Sequence, residues 1–416
     1  MMKTALSDGG ESATSFIKEW DENIMDFKNL DTAFQENFIE NEITAASPFE
    51  VTLPQQTIEK IYQFIRIYFA ICHRNSYQME RGKTFFHQQL NYSVLMGYDF
   101  HITENKIKLI EVNTNAGGAL FSLLDEYRRY PEKKREYEKK INVLFESFCE
   151  DFTLWNKGNS SQRTLKTVAI IDEDIEKVYW LPEFKLFQSL FEERGIKTII
   201  ADVKDVQIDG NELKVKGIVI DMVYNRYCDF YLKDTPSSTL REAYEENLAC
   251  FSPNPFEYHL TASKDILMFL SDETFDEQFE ITSEERTLLD EIIPKTYHLS
   301  SLEEHEIIDK RKQFFFKPIS HYGGKGVYRG DKISLRKIHE IEKENYLMQE
   351  LVHPSTVTVN SSIADIPLKN NIFKVDYRFF VYKNEAFHFS SRLYQGQVTN
   401  FKTIGGGYAP VIVSEE

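Results

Sequence analysis

The stretch Lys108-Leu-Ile-Glu111-Val-Asn113-Thr-Asn-Ala-Gly117-Gly118 constrains this chain most. An apolar run alternates inward and outward and then delivers a carboxylate and an amide two positions apart, just before a Gly-Gly turn. In a strand, positions i and i+2 leave the same face, so Glu111 and Asn113 are offered together. That is how hard oxygen ligands are presented to Mg²⁺. Alone, the pair is more often simply what an exposed strand end carries. What adds to it is a second glycine cluster about two hundred residues downstream.

At 416 residues the chain exceeds what one hydrophobic core usually supports, so two or more packed subdomains are expected. The 49 basic and 66 acidic side chains give a net charge of −17, which argues against a nucleic-acid groove or an anionic membrane surface as partner. Cys72, Cys149, Cys228 and Cys250 lie far apart with no C-x-x-C pair. They fit neither a zinc site nor a disulfide framework, and the expectation is plain thiols in a reducing, cytoplasmic compartment. Glu59, Lys60 and Arg66 interrupt the apolar run within Ile58 to Cys72, and residues 1 to 20 lack the apolar core of a secretory signal. No membrane span is expected.

Four regions follow from the pattern. Residues 1–85 are a helical region with a mobile start over 1–15, the helical spacing being clearest at Ile58, Ile61, Ile65, Tyr68 and Cys72. Residues 86–155 hold a hairpin turning at Thr103-Glu-Asn-Lys, then helices, including a charged one from Pro131 to Trp155. After a polar linker at Trp155 to Gln162, residues 160–260 read as strand Thr167–Asp172, helix Leu181–Arg194 and strand Lys197–Asp202, a right-handed βαβ unit. The unit suggests a small parallel sheet; a hairpin at Asp209-Gly210 follows it, and then a buried strand from Gly217 to Arg226. Ligands bind at the carboxyl ends of such strands, so Arg226 is either an anion anchor or an ordinary surface arginine. Residues 261–416 begin with a helix carrying Lys264 and become β-rich after residue 313, with strands at 313–318, 326–328, 346–352, 373–382, 386–393 and 407–413.

The chemistry concentrates in that last region. Lys317 ends one strand and Gly323-Gly324-Lys325-Gly326 opens the next, so glycine N–H groups and a cation are available to phosphate oxygens. This is not a P-loop, because neither Ser or Thr nor a helix follows, and a plain hairpin turn remains open. Gln349-Glu350-Leu351-Val352 ends a strand that forms either an adenine slot or a core strand. Arg378 and Arg392 sit within apolar alternation, where a cation is costly unless it faces an anion. Thr399-Asn400-Phe-Lys402-Thr-Ile-Gly405-Gly406-Gly407 is a loop bearing a cation.

Taken in order, Lys317 with Gly323-Gly-Lys-Gly, Gln349-Glu350-Leu-Val, Asp376-Tyr-Arg378, Arg392, Thr399-Asn400 and Gly405-Gly-Gly resemble the series of the ATP-grasp ligases, over about 100 residues. In most of that superfamily a final Glu-x-Asn segment follows, and here the chain ends at Glu416 first. Asp99, twelve residues before Glu111, with Glu111-Val-Asn113 and Gly117-Gly118, looks like that segment moved upstream. The arrangement resembles the circularly permuted members, eukaryotic-type glutathione synthetase and glutathionylspermidine synthase. Met222-Val-Tyr-Asn-Arg226 is similar to the substrate-domain segment, and Ala262-Ser-Lys264 to the one with an ATP-contacting lysine. Departures are His321, where glutathione synthetase has a metal-ligating glutamate, the Phe401 to Gly407 segment in place of an alanine-rich lid, and the absence of an arginine near Asp99.

The resemblance implies an α/β (α+β), circularly permuted ATP-grasp fold with an inserted parallel-sheet substrate domain and an N-terminal helical layer. It implies ATP and Mg²⁺ as cofactors, with Asp99, Glu111 and Asn113 on the metal. Lys264, Lys317, the 323–326 loop, residues 349–352 and Lys402 would hold the nucleotide. Arg392 and Arg378, with Lys317, would stabilise the transferring phosphoryl group, and Arg226, Asn400, Gly405 and Gly406 would meet the substrates. Those substrates would be a small carboxylate and an amine, such as an amino acid, a short peptide or a polyamine, joined through an acyl phosphate in a protein that could act as a homodimer. Two other readings stay open: a phosphotransferase on the same scaffold, and a catalytically silent protein that binds nucleotide or peptide.

Overall fold

Tyr377, Phe379 and Val381 alternate with Asp376, Arg378 and Phe380 along one long strand, Ile372–Tyr382, and this alternation organises the molecule. In the computed structural model, which describes residues 46–83, 87–103, 106–319, 326–341, 343–359, 368, 370–397, 399–401 and 403–415, that strand is central in a six-stranded antiparallel sheet. It pairs with Glu385–Tyr394 and Ser355–Thr358 and, through the Met96–Thr103 and Lys106–Asn113 hairpin, extends to an edge at residues 106–113. Tyr377, Phe379 and Val381 join a core with Tyr98, Phe100 and the helix Gln55–Cys72. That helix buries Ile58, Ile61, Ile65, Tyr68 and Cys72, as the spacing predicts. On the opposite face Phe380, Tyr382 and Tyr408 meet the helices Ala119–Arg129, Lys134–Gly158 and Leu181–Glu192.

Those helices also cover one face of a four-stranded parallel sheet in the order Cys250–Ser252, Met222–Asn225, Thr167–Asp172 and Lys197–Asp202, the βαβ unit expected. The strand expected from Gly217 to Arg226 is broken in two. Ile218–Val219 pairs with a hairpin formed by Val206–Asp209 and Glu212–Val215, and only Met222–Asn225 joins the parallel sheet. Asp221 makes the break, its carboxylate accepting from the backbone N–H groups of Lys166 and Thr167 at 2.9 Å each. A third, four-stranded antiparallel sheet runs Thr296–His298, Tyr346–Glu350, Phe314–Pro318 and Tyr328–Arg329 over its own small core.

Other boundaries shift for local reasons. Residues 407–413 form two strands: Gly407–Ala409 pairs with Glu385–Tyr394, and Val411–Ser414 runs parallel to Val51–Pro54. Pro410 lies between them and lacks the N–H needed to continue one ladder. Lys264 lies between the short helices Pro255–Thr261 and Ile266–Leu270 rather than on either. The start at 1–15 and the turn residues 104–105 fall outside the described residues. Among the described residues no helix is long and apolar enough to cross a membrane.

Asp151, fully buried on the helix Lys134–Gly158, fastens the helical layer to both sheets. It accepts from the Asn91 amide, the Tyr92 N–H and the Tyr382 hydroxyl at 3.2, 3.0 and 2.9 Å. Burial pushes its pKa up to about 6, against the lowering effect of these neutral donors. A raised folded-state pKa means that the folded protein takes up a proton more readily than the unfolded chain. Stability is therefore expected to rise as pH falls from 7 toward 4.5, by about 2–3 kcal/mol from this group. Urea titrations of the wild type and Asp151→Asn across that range check it, since the variant should lose this increment.

Candidate functional site

The edge strand Lys106–Asn113 faces the smaller antiparallel sheet across a cleft lined by Tyr68, Glu111, Lys264, Lys317, Leu347 and Gln349. Lys317 reaches the cleft from the Phe314–Pro318 strand. Lys264 reaches it from a turn held on both flanks: the Tyr68 hydroxyl donates to the Thr261 carbonyl at 2.6 Å, and Arg81 grips Asp265 at 2.7 and 2.9 Å. Burial pushes Lys317 down to about 8; Glu111 opposes the shift and Lys264 adds to it. Burial lowers Lys264 as well, again opposed by Glu111. Two lysines facing one carboxylate leave an excess of positive charge in a water-poor space, which suits a polyphosphate. The cavity there is small, about 20 Å³.

Gln349 lines the same cleft, its amide donating to the Thr296 hydroxyl at 3.3 Å. The next two backbone donors are committed inside the protein. Glu350 N–H goes to the Lys295 carbonyl at 2.8 Å and Leu351 N–H to the Gln313 carbonyl at 2.7 Å. The Val352 carbonyl lies 3.2 Å from His101 Nδ1. These bonds fix the strand end and commit both N–H groups within the protein.

Behind the cleft lies a buried lattice of charge. Asp99 pairs in register with Glu111 on one side and with Arg378 on the other. Arg378 donates from Nε and Nη2 to the two Asp99 oxygens at 2.6 Å each. Arg392 reaches Asp99 at 2.9 Å and Asp376 at 2.6 Å, and Asp376 also accepts from the Thr399 hydroxyl. Asn113 closes the group, its amide nitrogen donating to Asp99 at 3.2 Å and to Glu111 at 3.1 Å. The lattice depends on Gly97, which sequence reasoning missed: a Cβ there would lie 2.6 Å from Ala116 and 3.3 Å from the Arg378 Nε. A glycine on the same strand face, two residues before a buried aspartate, is the signal that could have found it.

The substrate-side residues fare differently. Arg226 is buried at the carboxyl end of its strand, over the Phe184 and Tyr224 rings. Its Nη1 donates to the Tyr224 hydroxyl at 3.2 Å, and its buried Nε has no hydrogen-bond partner. Asn115 Oδ1 and Thr114 Oγ1, on the segment Arg226 packs against, are likewise buried without partners. Glu183, also missed in the sequence, fixes this segment by accepting from the N–H groups of Gly118 and Leu120. Asn400 turns inward, donating to the Gln395 carbonyl at 2.7 Å. Gly405 and Gly406 are buried rather than cleft-facing, for steric reasons: a Cβ would lie 3.3 Å from Phe49 at Gly405 and 2.6 Å from the Leu393 carbonyl at Gly406. Gly326 stays at the end of the smaller sheet, its carbonyl accepting from the Tyr346 hydroxyl at 3.1 Å. Gly323, Gly324, Lys325, Lys402 and His321 fall outside the described residues.

Among the described residues no three His, Cys, Asp or Glu side chains gather as a metal cage. Mg²⁺ does not require one, since it is commonly held by one or two carboxylates together with substrate phosphates. Glu111 offers one such carboxylate at the cleft, and the Asn113 amide nitrogen is turned to Asp99 and Glu111. The oxygens of Asp99, expected as the third ligand, accept from two arginines and an amide.

No family model and no curated protein matches the chain. Among solved structures it is similar to a glutathione synthetase-like effector from Globodera pallida in its apo form, at 12% identity and a TM-score of 0.55, covering 88% of this chain and 90% of that one. A protein from Methylobacillus flagellatus, provisionally named a gamma-glutamylcysteine synthetase, aligns at 10% identity with a TM-score of 0.48 over 85% and 87% of the two chains. The fold is thus a glutathione synthetase-like ATP-grasp fold of mixed α/β class. At these identities the likeness speaks for the fold alone.

Proposed function

We propose that this chain is an ATP- and Mg²⁺-dependent ligase that joins a small carboxylate to an amine through an acyl phosphate. One observation carries the reading: Glu111, Lys264 and Lys317, drawn from three separate segments, converge in one cleft between two antiparallel sheets. The two lysines bind and orient the phosphates. Glu111 and Asn113 would hold Mg²⁺, which when bound would offset phosphate charge. A substrate carboxylate oxygen attacks the γ-phosphorus and ADP leaves; the amine then attacks the acyl carbon, phosphate departs, and the amine releases a proton. Arg226, with its unsatisfied Nε, anchors the acid, and the buried lattice holds Arg378 and Arg392 near the reacting groups. Such chemistry rests on positioning and charge rather than on a side-chain nucleophile. The runner-up is a nucleotide-binding protein without turnover, favoured by the full pairing of Arg378 and Arg392 with Asp99 and Asp376.

The two separate in one set of measurements. Calorimetry at pH 8.5 in buffers of differing ionisation enthalpy should show ATP binding with proton uptake of up to about one, because phosphates restore the charge that burial removes from Lys317. A screen of amino acids, γ-glutamyl peptides and polyamines should then yield ADP release only with an acid and an amine together. Binding without release under any pairing selects the silent reading, and no binding ends both.

A further inference from the structure

Asp99 and Glu111 face each other across two strands, yet their carboxylates have opposite surroundings. Glu111 lines the cleft and receives one amide donor, from Asn113. Asp99 is 2% exposed, and its oxygens accept from Arg378 Nε and Nη2, Arg392 Nη2 and Asn113 Nδ2. Three of these donors converge on Oδ2 and the fourth, Arg378 Nε, takes Oδ1, so both oxygens are engaged by buried cationic groups. Burial alone would raise its pKa, but Arg378 and then Arg392 outweigh burial and hold it below the usual carboxylate range. A cation at Asp99 would have to displace two buried guanidinium groups, taking from Arg378 its one carboxylate and leaving Arg392 only Asp376.

We propose that Asp99 is a positioning residue and not a metal ligand. It fixes Arg378 and Arg392 side by side through its two oxygens, next to the strand that carries Glu111. The inference rests on the ligase reading above. Because Asp376 binds both Arg392 and Thr399, the lattice also ties the segment entering the 399–406 loop to the strand that carries Asp99. Glu111 still holds the Asn113 amide when the charge of Asp99 is removed, so the metal donors stay in place.

The test compares the full-length wild type with Asp99→Asn. Mn²⁺ binding in the presence of ATP is read from the paramagnetic resonance of free Mn²⁺, and ADP release is followed with a productive substrate pair. The expected result is a Mn²⁺ Kd within about threefold of wild type, an unchanged KM for ATP, and a kcat lower by about 30-fold or more that excess metal does not restore. A Kd weakened tenfold or more, with kcat recovered at high metal, overturns the proposal. Should the variant fail to fold, wild-type crystals with Mn²⁺ and a non-hydrolysable ATP analogue decide. Metal on Glu111 and Asn113, with Asp99 still on both arginines, supports it, and an Asp99 oxygen on the metal overturns it. Wild-type protein that binds no Mn²⁺ with ATP overturns the ligase reading and this inference together.

Discussion

Lys317→Met is expected to abolish ADP release, by about 10³-fold or more, while making the protein more stable at pH 7. The two effects share one cause. Lys317 lies in a cleft where burial pushes its pKa down to about 8, so keeping the ammonium charged there costs folding free energy. A depressed lysine pKa imposes that cost fully below the folded-state value and relieves it as pH rises from about 8 toward 10.5. Methionine fills a similar volume without the charge, and the gain at pH 7 should be about 1–3 kcal/mol, fading above pH 8. The rate should fall because a preorganised cation facing the phosphates supplies several kcal/mol of transition-state stabilisation. Glu111→Gln should likewise eliminate turnover, by removing the charged metal donor and lowering the Lys317 pKa further. Urea midpoints at pH 7 and 9, set beside ADP-release rates, check both. A variant that is both less stable and fully active would show that Lys317 is an ordinary packing residue.

Much of this arrangement could be read in the sequence, because periodicity and order are local. The 96–113 hairpin, the helix over Ile58 to Cys72 and the βαβ unit all follow from apolar spacing. The grouping of Glu111, Lys264 and Lys317 followed from the order of motifs, since their sequence separation hides any contact. What was not legible depends on partners across the sheet. Asp99 on a strand two residues from Gly97 has the same spacing whether it meets a metal or two arginines, and only the register with Arg378 decides. Gly405 and Gly406 read as substrate-facing through the order of motifs, and in the fold the missing side chains permit close packing against Leu393 and Phe49. The broken strand at Asp221 is of the same kind: the apolar run from Gly217 to Arg226 reads as one strand, yet the aspartate within it caps the start of a neighbouring strand.

Gly118→Ala should be the most destabilising single-methyl change near the site. Gly118 has φ +92°, and a Cβ there would lie 2.1 Å from the Tyr408 ring. Tyr408 is 1% exposed and donates to the Gly117 carbonyl at 2.5 Å, so it has little room to retreat. Left-handed backbone costs an L-residue about 1–2 kcal/mol, and overpacking a filled core costs about 1–3 kcal/mol more. Displacing the segment also disturbs the Glu183 carboxylate, which satisfies the Gly118 and Leu120 N–H groups at the start of the helix Ala119–Arg129. The expected loss is about 3–5 kcal/mol, a large part of the stability of an ordinary domain. Gly195→Ala separates the two contributions, because Gly195 has φ +78° with nothing within 4 Å of the added methyl. It should cost only the backbone term, about 1–2 kcal/mol. Urea midpoints at unchanged slope measure both, and equal losses in the two variants would mean that Tyr408 yields freely. The consequence then reaches the site, because Arg378 Nη1 donates to the same Gly117 carbonyl at 3.3 Å. Gly118→Ala should therefore weaken turnover even where the protein remains folded, by moving the anchor that holds one guanidinium against Asp99.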